Sequence, residues 1–201
     1  MSGSSGEASS VDLEESARRW KKFAGYCRDG YPWEMEDYLV DVTLRSVINE
    51  AMRDGSAQFE SLPEQVKREI LETDSSLLSL FTTEAFPRAP ESEWWIRNVP
   101  EYASRRFCQE FEEAYNVKIT PNSKFDADLD DMFRLVDEGT PPVEVCLKAK
   151  NCGWYVATEP ALLFRACTLV LSLQRKERRA VWAWAIGDFS DSTLQMKLSE
   201  S

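Results

Sequence analysis

The chain has 201 residues, 43% of them hydrophobic, enough to bury a substantial core without disulfide or metal staples. Its formal charge of −11 repels nucleic-acid phosphates and anionic headgroups, so neither direct nucleic-acid binding nor membrane association is expected. The absence of histidine removes Ser-His-Asp and Cys-His catalysis, His-containing zinc sites and the usual neutral-pH proton shuttle.

Residues 1–12 open with the small polar run MSGSSGEASS and read as a disordered tail, with a single helical domain expected over 13–201. From Glu14, the spacing of Trp20, Phe23, Ala24 and Cys27 predicts a helix that ends at Gly30, before a Tyr31, Pro32, Trp33 loop. Between Met35 and Met52 the apolar pattern changes phase. Met35, Tyr38, Leu39 and Val42 form one stripe, and Leu44, Val47, Ile48, Ala51 and Met52 another, so either a break near Val42 or an extended 38–42 segment is expected.

Ser61, Pro63 and Glu64 match a capping box with proline in the first turn and predict a helix start; Val66, Ile70, Leu71, Leu77, Leu78 and Phe81 continue it in one phase, as one helix of up to five turns or as two helices broken near Thr73 and Asp74. The proline-bearing segment 83–93 reads as the main connection in the chain and the alternative domain boundary. Trp94, Trp95 and Arg97 follow it in an expected loop, where one tryptophan is expected to face solvent as an interface anchor.

A clean amphipathic stripe, Ala103, Phe107, Cys108, Phe111, Ala114 and Tyr115, predicts the next helix, with Glu110 and Glu113 on or beside its wet face. Phe125, Leu129, Met132, Phe133 and Val136 give another, closing at Gly139. Its Asp126, Asp128, Asp130 and Asp131 resemble the front of a calcium loop, but Asp131 and Asp137 stand where glycine and glutamate are needed, so no metal or cofactor is expected.

Val143, Cys146 and Leu147 follow Pro142 at helical spacing, although Val143, Val145 and Leu147 also fit a short strand. Thr158, Glu159 and Pro160 then open a nearly all-apolar helix to Leu173, expected at the centre of the fold. The apolar run Ala161 to Leu173 is broken by Arg165 and is shorter than the about 20 residues a membrane helix needs. Residues 181–186, VWAWAI, fit helix and strand equally.

The expected fold is therefore mainly α, a single-domain multi-helix bundle of roughly seven helices, with a small β element near 38–42, 154–157 or 181–186. Five cysteines without a C-x-x-C pair read as reduced core thiols, consistent with the cytoplasm. Basic clusters at 18–22, 105–106 and 175–179 are expected to pair with carboxylates.

By elimination, the favoured function is an acidic protein-interaction module, such as an inhibitor or immunity-type protein for a basic partner. Trp94, Trp95, Arg97, Glu110, Glu113, Asp128 and Asp131 are its candidate partner-binding residues. The alternative is a histidine-free enzyme using carboxylates in an inter-helical pocket.

Overall fold

A computed structural model describes residues 12–199, which fall into two compact units, the first running to Asn122 and the second beginning at Ser123. The expected tail lies outside the described residues except for Asp12, whose carboxylate caps the first helix by accepting from the Glu15 amide at 3.1 Å.

In the first unit, α1 (Leu13–Arg28) buries Trp20, Phe23, Ala24 and Cys27 and ends before Gly30, whose φ of 81° suits a residue without a side chain. Helix α2 (Met35–Arg53) is one unbroken helix, which corrects the expected break and the strand at 38–42. Both apolar stripes are used because α2 is enclosed by several elements. Tyr38, Val42, Leu44 and Ile48 are all buried as it packs on α1 and on elements further along the unit.

The short α3 (Ala57–Glu60) leads to α4 (Glu64–Leu78). The start of α4 falls where the sequence places it, but the capping box does not form. Pro63 is the N-cap, and the Ser61 hydroxyl donates backwards to the Gln58 carbonyl at 2.9 Å. Of the two alternatives for this stretch, the single helix is the one formed: α4 runs unbroken through Thr73 and Asp74, which both turn inward.

The 83–93 segment lies within this unit. β1 (Thr83–Glu84) pairs antiparallel with β2 (Asn98–Val99), and between them a 3-10 turn leads into α5 (Trp94–Arg97). β3 (Tyr102–Ala103) precedes α6 (Arg105–Tyr115) and pairs in parallel with β4 (Thr120–Pro121). Ser104, itself buried, caps α6 and donates its amide to the Tyr31 carbonyl at 2.9 Å. The core of the unit is aromatic: Tyr31, Tyr38, Phe107 and Phe111 meet edge-on or tilted at 4.7 to 5.8 Å between ring centres, with Phe23 against Tyr31 and Tyr38.

In the second unit, α7 (Lys124–Asp137) is capped by Ser123, which accepts from the Asp126 amide at 3.0 Å. α8 (Pro142–Asn151) starts on proline, and a 3-10 turn over Tyr155–Thr158 replaces the strand expected at 154–157. α9 (Pro160–Val170) is shorter than expected, since Leu171 leaves the helix in an extended conformation, yet Leu171 and Leu173 stay buried. The helix packs against α7, α8 and α10 (Arg175–Ala185).

The run VWAWAI is helical and not extended: Val181 and Trp184 are buried three residues apart, Trp182 and Ile186 are exposed, and Gln174 with Glu177 forms a capping box. α11 (Asp191–Ser199) closes the unit, its Asp191 accepting from the Trp184 indole at 2.7 Å while the Lys150 ammonium lies 4.6 Å from that ring.

The chain is mainly helical, with eleven α-helices among the described residues in place of roughly seven. The additional ones are α3, α5, α10 and α11: the first two are one turn each, too short for periodicity to register, and α10 was ambiguous with strand. No described helix is long and apolar enough to cross a membrane.

Candidate functional site

The α1–α2 pair forms both the framework of the first unit and the walls of a cleft of about 500 Å³, a volume in the range of ligand sites. Because α1 buries its Trp20 and Phe23 stripe, its opposite face carries Arg18, Arg19 and Lys22 into one wall. The first turns of α2 supply Asp37, Val40 and Asp41 to the other, and Trp33 joins from the connection. Val40 is 58% exposed, an apolar side chain at the mouth of the cleft.

Asp41 is the best-defined group in this cleft. The buried Tyr31 hydroxyl donates to its Oδ2 at 2.9 Å, and Arg19 stands 3.7 Å from Oδ1. Burial pushes the Asp41 carboxyl above the usual carboxylate range, although the Tyr31 hydrogen bond and Arg19 pull the other way. Burial, followed by the nearby Asp41 charge, also raises the Tyr31 hydroxyl and the Cys27 thiol, so both stay protonated at neutral pH.

Arg18 pairs with Glu15, and the Lys22 ammonium lies 5.5 Å from the Tyr26 ring, which meets Trp33 edge-on at 5.9 Å. The cleft therefore sets Glu15, Asp37 and Asp41 beside the Tyr26 and Trp33 rings, with Arg18, Arg19 and Lys22 already among them as cations. Cys27, held as a thiol, is not an activated nucleophile.

The residues singled out from sequence are dispersed. Trp95 is buried, its indole donating to Ser46 at 3.1 Å with the Arg45 guanidinium 4.8 Å from the ring; Trp94 is half-buried against Trp20, Phe81 and Trp95. Arg97 pairs with Glu84 and donates to the carbonyls of Pro87 and Ala89, both at 3.0 Å, so it closes the loop that leads into its own helix. Glu110 accepts from the Met35 amide at 2.8 Å and from Arg106 at 2.9 Å, supplying the start of α2 with the acceptor its own N-cap lacks. Glu113 is exposed and accepts from Gln109.

Asp128 and Asp131 belong to the second unit. Asp128 accepts from the Val156 amide at 2.9 Å and its carboxyl is raised by burial; Asp131 pairs with Arg134 at 2.7 Å. Since Asp126 to Asp131 lie on a helix, their carboxylates fan out around it instead of converging as in a calcium loop. Among the described residues no three His, Cys, Asp or Glu side chains are placed to hold a metal ion.

Sequence reasoning missed Asp41 and the Tyr26 and Trp33 rings. The available signal was the spacing of Asp37 and Asp41, one helical turn apart beside an aromatic loop. Comparison with family models, curated proteins and solved structures returns no match.

Proposed function

We propose that the chain is a cytoplasmic interaction module whose first unit receives a basic segment of a protein partner. The observation that carries this reading is the uneven charge. The first unit has 23 acidic against 14 basic residues, whereas the second has 12 against 10. The field that would steer a cationic partner thus originates almost wholly from the unit containing the cleft. Glu15, Asp37 and Asp41 line the cleft beside Tyr26 and Trp33, where an incoming arginine or lysine would exchange with Arg19 at Asp41 and with Lys22 over the Tyr26 ring.

Fluorescence anisotropy with a labelled arginine-rich peptide, and a glutamate-rich peptide as control, tests this directly. Binding of the basic peptide alone is expected, with an affinity that falls steadily as NaCl is raised. Equal binding of both peptides, or an affinity indifferent to salt, removes the reading.

The rival reading, a histidine-free enzyme, has one foothold: Asp41 is a carboxyl of raised pKa in a cleft, a combination common at catalytic sites. Against it, Tyr31 and Arg19 already engage its two oxygens.

A further inference from the structure

Cys146 on α8 and Cys167 on α9 are both fully buried, with their sulfurs 3.2 Å apart, although the residues are 21 positions apart in sequence. That separation is about 1.2 Å longer than a disulfide bond, a difference that small side-chain rotations can close. No third metal-ligating side chain accompanies them among the described residues. Cys27 and Cys108, the other buried cysteines, lie in the first unit, and Cys152 is exposed.

We propose that Cys146 and Cys167 form a disulfide site, closed by an oxidant of the glutathione-disulfide class and cross-linking α8 to α9. In the first step one cysteine, as thiolate, attacks a sulfur of the oxidant; the oxidant's S–S bond breaks, a glutathione thiolate leaves and a mixed disulfide forms. The second cysteine, having lost its proton, then attacks the protein sulfur of that mixed disulfide and expels the second glutathione. Two protein thiols are oxidised, one small disulfide is reduced to two thiols, and the two protons end on the glutathiones.

The Cys146 hydrogen bond, followed by burial, holds the Cys167 thiol well above its ordinary range, so the folded pair reacts slowly and oxidation proceeds through local opening of the second unit. Once closed, the bond restricts the unfolded chain and raises the unit's stability.

The test uses the full chain held in excess oxidised glutathione at mildly alkaline pH, with and without sub-denaturing urea, followed by alkylation and mass mapping of non-reduced peptides. The expected product is a peptide pair joining Cys146 to Cys167, formed faster in urea, with Cys27 and Cys108 still alkylated after unfolding. The oxidised sample is expected to melt about 10 °C above the reduced one. The Cys152→Ser variant, which changes only an exposed thiol, is expected to give the same link. Five alkylatable thiols at equilibrium in the wild type, or no 146–167 link in the Cys152→Ser variant, overturns the proposal.

Discussion

The Asp74 carboxylate on α4 receives the Arg45 guanidinium of α2 in a two-pronged ion pair, with N to O distances of 2.8 to 2.9 Å, and both side chains are largely shielded from water. The Trp20 indole of α1 donates to the same carboxylate at 2.9 Å, so one acid joins three helices. Arg45 also lies over Trp95, and its Nη1 is buried without a hydrogen-bond partner, which makes the charge dependent on Asp74.

Removing Asp74 leaves that guanidinium buried and uncompensated. Asp74→Ala is expected to destabilise the first unit by about 3 to 5 kcal/mol, whereas the double variant Arg45→Met with Asp74→Leu is expected to lose less. Urea denaturation followed by tryptophan fluorescence measures both. A double variant as damaged as the single one would show that the pair contributes through packing and not through charge compensation.

Serine caps offer a direct comparison between the sequence motif and the folded structure. Ser123 caps α7, and its replacement by alanine is expected to cost about 1 kcal/mol. Ser61, despite its S-x-x-E motif, caps nothing in α4, so Ser61→Ala is expected to stay within about 0.5 kcal/mol of the wild type. Chemical denaturation of the two variants checks the ranking, and a reversed order would mean that the Ser61 motif is formed.

Asp41 gives a pH dependence of unusual sign for a carboxylate. Its folded pKa lies above the ordinary 3.8, so in the interval between the two values the folded state holds more protons than the unfolded one, and stability falls as pH rises. Below that interval the carboxyl is protonated in both states and the penalty is absent. The Asp41→Asn variant keeps an acceptor for the Tyr31 hydroxyl but carries no charge at any of these pH values. Relative to the wild type, it is therefore expected to gain stability as pH is raised from below 3.8 through the folded pKa, then hold a constant difference. Denaturation midpoints at a series of pH values test it; a difference that does not change with pH contradicts it.

Much of the helical layout was legible because α1, α6, α7 and α9 each bury one face and carry apolar residues at helical spacing. The errors arose where burial is not one-sided. Helix α2 is covered by several partners, so its two stripes look like a phase change, and Asp74 leaves a break in α4 open because its buried partner, Arg45, lies 29 residues away. Pairing across such distances leaves no local periodic signal. The same holds for the cleft, which needs the Tyr31 hydroxyl and Arg19 brought to Asp41 before any of the three stands out.

The most direct measurement on the central claim is hydrogen–deuterium exchange of the full chain with and without a saturating arginine-rich peptide at low salt. Slowed exchange is expected in the facing segments of α1 and α2, near residues 15–41, with the amides of 123–199 unchanged. Protection confined to 123–199, or none at all while the peptide is bound, would contradict it.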